Sequence, residues 1–228
     1  MIIPWISFIP SAIISARYLR NEWKQFTPNN IRIWFHIHRL LNWISFIFLV
    51  ISTLLVIIAK DMSWKGPWIT KTLSKNTSPG SIHSILGTFA LIGTMIQIII
   101  SLFRPHPQSR IRPYFNLIHR FIGFISLFFS SISILIAAKF FLKYWADSSK
   151  ALVLSITGYL LFIISIILYE IIIRLKSKDG IEEIELSGDG ITTHNTEDKE
   201  NIVKKILFII FALMSFPLTV YLSILLLV

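Results

Sequence analysis

The sequence contains no cysteine among its 228 residues. This absence excludes a disulfide framework, thiolate ligands for zinc or iron-sulfur clusters, and a cysteine nucleophile. Acidic residues are also scarce, with 12 Asp and Glu against 22 Lys and Arg, which gives a formal net charge of +10. Any metal in this protein must therefore be bound by histidine or by oxygen ligands.

Hydrophobic residues make up 54% of the chain, and they are concentrated in long apolar runs. A helix of about 20 apolar residues crosses the hydrocarbon core of a bilayer. Six such segments are predicted, at residues 2–18, 33–59, 80–103, 114–141, 150–174 and 206–228. The predicted fold class is therefore all-α, a polytopic transmembrane bundle of about six helices embedded in the lipid bilayer.

The first segment is short and contains two prolines. A cleavable signal peptide has basic residues before its apolar region, whereas the basic residues here follow that region. We therefore expect a membrane helix, and its shortness indicates that earlier residues of the helix are missing before Met1. Residues 176–205 are rich in charge and glycine, which predicts a cytoplasmic polar linker before the last transmembrane helix at 206–228.

Arginine is distributed unevenly between the two ends of the predicted bundle. All nine arginines fall in or beside the connection between segments one and two, the connection between segments three and four, or the end of segment five. The positive-inside rule makes these regions cytoplasmic and leaves both termini outside. The net positive charge is thereby explained by a membrane surface, and no nucleic-acid partner is predicted.

Two histidines occur at matching depth in the apolar segments. His38 and His119 each lie about five residues past the predicted cytoplasmic start of a helix, and each is followed by an arginine. Neutral imidazoles at membrane depth are unusual, and two on neighbouring helices can bind one metal from opposite sides. His83 lies near the outer start of a helix that runs the other way, so it cannot join them.

Zinc and haem are the two groups that such a histidine pair suggests. Zinc sites need three or four protein ligands in a tetrahedral set, and no carboxylate is predicted at the same depth. Haem needs only two axial ligands. A bis-histidine haem leaves no coordination position open, so it transfers electrons and does not bind oxygen.

Glycines repeat at a fixed distance after two of the histidines. Gly87 follows His83 by four residues, and Gly123 follows His119 by four residues. Residues four apart share a helix face, so each glycine removes a side chain beside an imidazole. The space can admit a flat macrocycle, or it can permit close packing between helices.

Four stretches of the sequence carry a recognisable pattern: residues 34–39 (WFHIHR), 83–87 (HSILG), 103–107 (FRPHP) and 112–123 (RPYFNLIHRFIG). They resemble the cytochrome b561 family, especially its ferric-chelate reductase and DOMON-linked branch, and the likeness covers roughly residues 1–175. The resemblance implies a five-helix transmembrane core that holds two b-type haems. It also implies transfer of single electrons from a cytoplasmic reductant such as ascorbate to an outer acceptor such as ferric chelate or monodehydroascorbate.

The resemblance also implies which residues are ligands. In that family the ligands come from four consecutive helices, which pair first with third and second with fourth. Carried over, this pairs His38 with His119 and makes His83 a ligand of the second haem. Asn42, four residues after His38, is included among the residues at the haem, although the family usually has an apolar residue there.

The second haem site is predicted to be incomplete in this chain. The first segment resembles the first core helix of the family through its end, residues 16–20 (ARYLR), but it contains no histidine. The expected ligand would fall just before Met1, so either the chain is part of a longer protein or the outer site has one ligand. We therefore predict haem b in one complete bis-histidine site and a second site with His83 alone.

Basic residues near the cytoplasmic helix starts are candidates for binding anions. Arg39 and Arg120 are predicted to attract haem propionates, and Lys24, Arg104 and His106 to help dock an anionic donor. The alternative is that the arginines and the lysine serve only to orient the protein in the membrane. The sequence leaves both alternatives open.

Two functional hypotheses follow from these residues. The first is a transmembrane oxidoreductase of the ferric-chelate reductase or ascorbate-dependent type. The second is a non-catalytic or degenerate haem-binding scaffold with one haem or none. A plasma membrane and an internal vesicle membrane are both compatible with the charge pattern, and homodimer formation is left open.

One further motif lies outside the predicted haem sites. Residues 76–78 (NTS) form a glycosylation sequon in a predicted outer loop. The sequon lies close to the membrane, where a transferase has poor access. We therefore do not expect it to be used.

Overall fold

All regular secondary structure in the described residues is helical. The computed structural model describes the backbone of residues 1–23, 27–106, 108–186 and 193–226. It describes the side chains of these residues except those at 176–200. Five helices are long and apolar enough to cross a membrane, at Ile33–Ala59, Pro79–Leu102, Arg112–Phe140, Ser148–Leu175 and Asn201–Ile224. The prediction of an all-α transmembrane bundle is confirmed.

The helices alternate with short connections along the chain. In order they are α1 (Ile9–Tyr18), α2 (Ile33–Ala59), α3 (Leu73–Asn76), α4 (Pro79–Leu102), α5 (Arg112–Phe140), α6 (Ser148–Leu186) and α7 (Thr193–Ile224). A π-helical turn at Pro4–Phe8 precedes α1. The helix α6 continues past its predicted end and α7 begins before its predicted start, so both ends of the predicted 176–205 linker have a helical backbone.

Local signals fix where the central helices begin. Pro79 stands in the first turn of α4, after Ser78, whose hydroxyl accepts a backbone hydrogen bond from that turn. Pro113 stands in the first turn of α5. Proline suits this position because the first N–H groups of a helix have no partner within it. These starts set the depth of the histidines that follow.

The helix α1 lies in the interior of the bundle. Ile6 in the π-helical turn is fully buried, as are Ala12 and Ile14 in α1, and the two elements contact α2, α6 and α7. Ser7 Oγ lies 3.1 Å from Ser215 Oγ of α7, and hydroxyl pairs of this kind join membrane helices. The first predicted segment is therefore helical and internal, although it is shorter than the five spanning helices.

The helices α4 and α5 make the most extensive contact in the bundle. Gly93 of α4 faces Ser126 of α5 so closely that a Cβ at position 93 would overlap the serine hydroxyl. Small residues allow membrane helices to approach in this way. This pair carries two of the three predicted ligand histidines.

Candidate functional site

His38 of α2 and His119 of α5 face each other inside the bundle. The centres of their rings are 6.2 Å apart, and the ring planes make an angle of 64°. Their depths match because His38 is the sixth residue of α2 and His119 the eighth of α5, and both helices start at the same end of the bundle. We call this the arginine end; it carries the connections at residues 20–32 and 103–111.

The spacing of these two imidazoles fits a metal between them. A metal-imidazole bond is about 2 Å long, so a metal ligated by both rings separates the ring centres by roughly 6 Å. The Nδ1–H of His38 donates to Ala12 O at 3.0 Å. This contact fixes the tautomer and leaves Nε2 as the ligand atom, which is the usual arrangement of a metal-bound histidine. This spacing agrees with the prediction that both histidines bind one b-type haem, which stays a prediction.

His119 is surrounded by contacts from α4 and from its own helix. The ring of Phe115 stacks on it with centres 5.9 Å apart and planes 9° from parallel. The amide Nε2 of Gln97 donates to His119 O. Among the described residues the buried Nδ1 of His119 has no hydrogen-bond partner, and a polar atom in this state is costly in an apolar span. The Nδ1 atom of His119 can therefore still form a hydrogen bond that no described residue supplies.

Asn42 contacts the other histidine of the pair. Its Nδ2 lies 3.4 Å from His38 Nδ1 and 3.5 Å from His38 Nε2, and it donates to His38 O at 2.7 Å. The carboxamide therefore lies along the edge of the imidazole that the sequence selected as a ligand. Its predicted place at the cofactor agrees with this geometry and stays a prediction.

His83 lies toward the opposite end of the bundle, because α4 runs antiparallel to α2 and α5. Its Nδ1 is 2.9 Å from both the carbonyl oxygen and the hydroxyl oxygen of Ser133. The ring of Phe141 is 4.9 Å away, centre to centre. The Nε2 atom of His83 is again left to bind a ligand, but this histidine is separate from His38 and His119.

Gly87 and Gly123 both meet polar side chains of the neighbouring helix. A Cβ on Gly87 would lie 3.3 Å from Ser133 Oγ, and one on Gly123 would lie 3.4 Å from Gln97 Nε2. Each glycine therefore stands at the contact between α4 and α5, where small residues allow close packing. Their role beside a haem stays a prediction.

A cavity of about 810 Å³ opens at the arginine end. It is lined by four guanidinium groups together with aromatic and polar side chains: Arg20, Arg32, Arg104, Arg112, Trp34, Phe35, His106 and Asn116. None of its described lining residues is Asp or Glu. The cavity is therefore strongly positive and suited to an anion.

The surroundings of Arg104, another lining residue, disfavour its positive charge. Burial, followed by the guanidinium groups of Arg112 and Arg20, lowers the pKa of Arg104 from its ordinary value. The guanidinium carbon also lies 4.4 Å from the ring centre of Phe35 in a cation-π contact. A bound anion would counter the repulsion from the neighbouring arginines.

The other residues predicted for anion binding have different positions. His106 lines the cavity. Arg39 and Arg120 are exposed and are absent from the described lining, and Arg39 lies 5.8 Å from the ring centre of Phe35. Lys24 lies outside the described residues.

Sequence reasoning did not assign Arg20, Arg32, Arg112 or Asn116 to this cavity. They meet because the connection before α2 and the connection before α5 converge at the same end of the bundle. The guanidinium of Arg112 donates to Pro105 O and holds the second connection against α5. The one signal available in the sequence was the concentration of arginine at this end.

Known proteins match the region that contains these histidines. A sequence profile described as eukaryotic cytochrome b561 matches residues 1–142. A putative ferric-chelate reductase 1 homolog of Drosophila melanogaster is 31% identical over 137 residues, which are 57% of this chain and 19% of that protein. A cytochrome b561 and DOMON domain-containing protein of Arabidopsis thaliana is 27% identical over 139 residues, 60% of this chain and 29% of that protein.

A longer alignment is found with a fish relative. The putative ferric-chelate reductase 1 of Danio rerio is 28% identical over 181 residues, 79% of this chain and 29% of that protein. The chain thus spans less than a third of the length of these three relatives. No solved structure matches it. Because the profile covers more than half of the sequence and includes all three predicted ligand histidines, the chain belongs to the eukaryotic cytochrome b561 family.

Proposed function

We propose that this chain is a transmembrane oxidoreductase that passes single electrons through a b-type haem held by His38 and His119. The electrons come from a cytoplasmic anionic reductant such as ascorbate and leave to an outer acceptor such as ferric chelate or monodehydroascorbate. Membership of the family supports haem-based electron transfer across a membrane. The observation that carries the proposal is the 6.2 Å separation of the two imidazole ring centres.

The histidine pair supplies fixed ligands from opposite sides. A bis-histidine haem provides a one-electron couple with no open coordination position. The carbonyl of Ala12 orients His38, and Phe115 stacks on His119. Because packing holds both rings, a haem bound by them would change little in ligand geometry on reduction, and this favours outer-sphere transfer without an acid-base step.

The arginine-lined cavity lies one helical turn from both ligands. Trp34 lines it and precedes His38 by four residues, and Asn116 lines it and precedes His119 by three. Residues at these spacings share a helix face. An anion bound by Arg104 is therefore adjacent to the histidine pair, which supports this cavity as the donor site.

One observation favours the second hypothesis, a degenerate scaffold. In the part of the chain that the structure describes, His83 contacts Ser133 and Phe141, and the other four histidines whose side chains are described lie toward the arginine end. A chain with one haem can still bind a donor but has no second haem through which an electron crosses the bilayer. The number of haems per chain therefore separates the two functions.

The test is the haem content of the purified full chain and of single variants. His38→Ala and His119→Ala are each expected to abolish the same low-spin b-type haem, because each removes one of two axial ligands. The measurement is the reduced-minus-oxidised spectrum together with haem extracted per chain. His36→Ala is the matched control, since the Nε2–H of His36 donates to Pro28 O at 3.1 Å, away from the pair.

Each possible haem content supports or contradicts a different function. A His38→Ala protein with a full b-type spectrum would contradict the assignment of this pair. A wild-type chain without haem would favour the scaffold. One haem per chain supports the His38 and His119 site alone, and two would require a partner for His83 from outside the described residues.

A further inference from the structure

Gln97 is a polar side chain inside an apolar membrane span. It belongs to α4, yet its Nε2 donates to the backbone oxygen of His119 in α5. The same nitrogen would lie 3.4 Å from a Cβ on Gly123. The carboxamide therefore crosses between the two helices at the glycine that follows the ligand histidine.

Two buried polar atoms at this place lack partners. Neither Gln97 Oε1 nor His119 Nδ1 has a hydrogen-bond partner among the described residues. The two atoms are complementary, because a metal-bound imidazole needs an acceptor for its second N–H. His38 and His83 differ in this respect, since each directs its Nδ1 to a backbone carbonyl.

The other end of the α4–α5 pair repeats the arrangement with the helices exchanged. Ser133 of α5 lies beside Gly87 of α4, and its hydroxyl contacts His83 Nδ1 at 2.9 Å and His83 O at 3.2 Å. In both cases a polar side chain of one helix occupies the space beside a glycine of the other. In both cases it meets the histidine that precedes this glycine by four residues.

We propose that Gln97 is a positioning residue for His119. Its Nε2 holds the backbone of the histidine, and its Oε1 supplies the acceptor that a metal-bound His119 needs. A leucine or methionine would fill the same volume without leaving a polar atom unpartnered, so packing alone does not account for a glutamine here. The inference rests on the proposed function, in which His119 is a haem ligand.

The experiment compares Gln97→Leu with wild type in the haem-loaded full chain. The rate at which haem passes from the detergent-purified protein to added apomyoglobin is expected to rise about 10-fold to 100-fold, the usual effect of losing an outer partner of a metal ligand. The electron paramagnetic resonance signal of the same low-spin haem is expected to shift. A helix contact with no role at the ligand would leave that signal unchanged.

Thr94→Val is the matched control. Thr94 also lies in α4, and its hydroxyl donates to Ala90 O within the same helix at 3.0 Å. Its loss is expected to change neither the rate of haem transfer nor the resonance signal. Gln97→Met is a second variant, for use where the branched leucine prevents folding, and it is expected to behave as Gln97→Leu.

The results distinguish this inference from the proposed function. Wild-type haem retention and an unchanged resonance signal in Gln97→Leu or Gln97→Met would overturn the role of Gln97 and leave the ligand pair intact. A wild-type chain without haem, or a His119→Ala variant that keeps its haem, would overturn the proposed function and this inference with it.

Discussion

Arg104 lies among other positively charged side chains at the arginine end. Its guanidinium shares the cavity with Arg20, Arg32 and Arg112, and no described lining residue carries a compensating carboxylate. Guanidinium groups keep their charge at neutral pH. The lowered pKa of Arg104 therefore reflects burial first, and then repulsion from Arg112 and Arg20, rather than loss of the proton. An anion is the group that relieves this repulsion.

We expect Arg104→Gln to raise the KM for ascorbate by about 10-fold to 150-fold, because a charge-assisted hydrogen bond contributes about 1.5 to 3 kcal/mol. The dependence of the rate on ionic strength should also weaken, since fewer charges attract the donor. The measurement is haem reduction by ascorbate at several salt concentrations. Arg110→Gln is the control, because Arg110 is exposed in the same connection but is not part of the cavity lining. Equal KM values for the two variants would contradict the assignment.

The histidine pair was predictable from the sequence, whereas the residues that contact it from other helices were not. His38 and His119 could be matched by depth, since each lies a few residues past the start of a long apolar run. Gln97 lies in the middle of an apolar helix, and its contact depends on the rotation of α4 against α5. The sequence around Gln97 does not fix that rotation, because apolar residues both precede and follow Gln97 in α4.

The connection between α2 and α4 is organised around Asn76, at the end of the short helix α3. The Nδ2 of Asn76 donates to Trp68 O at 3.0 Å and to Lys71 O at 3.3 Å, and its Oδ1 accepts from Trp68 N at 2.9 Å. Both hydrogens of the amide are therefore engaged. An N-linked glycan would replace one of these hydrogens. We therefore expect Asn76 to stabilise this connection and not to carry a glycan.

We expect Asn76→Ala to lower the free energy of unfolding by about 1 to 3 kcal/mol through loss of these hydrogen bonds. Thr77→Ala is the matched control. It keeps the sequon, because residue 77 is the variable middle position, and the Thr77 hydroxyl donates to nearby carbonyls of α3, so little effect on stability is expected. Thermal unfolding in detergent measures the difference. A glycosidase-sensitive mass shift in wild type that is absent from Ser78→Ala, which removes the sequon but keeps Asn76, would contradict this use of Asn76.

The spanning helices were predictable as elements because each contains a long apolar run, and proline also marks the starts of α4 and α5. The position of α1 inside the bundle was not predictable from the sequence. It depends on hydroxyl pairing between Ser7 and Ser215, residues far apart in the chain, and on the close approach of Ile6 to Gly158. Small and hydroxylated residues are common in membrane helices, so the sequence does not show which of them meet.

The whole molecule is polarised in charge. Lys60 donates to Tyr144 Oη at 3.1 Å and joins the connections at 60–78 and 141–147; we call this the lysine end. Seven lysines lie there, whereas the other fifteen basic residues lie at the arginine end or in residues 176–205. Lys205, 3.9 Å from the buried Glu22, links the start of the α7 span to the arginine end. This distribution favours a cytoplasmic arginine end.

The absence of cysteine allows this orientation to be tested with single introduced thiols. Ser63→Cys lies exposed at the lysine end, and Gln108→Cys lies exposed at the arginine end. A membrane-impermeant maleimide is expected to label Ser63→Cys in intact cells or right-side-out vesicles. Gln108→Cys should react only after permeabilisation, because the positive-inside rule makes its connection cytoplasmic. The unmodified chain is the control for background labelling. Labelling of Gln108→Cys in sealed membranes would reverse the orientation, and the arginine-lined cavity would then face the electron acceptor rather than the donor.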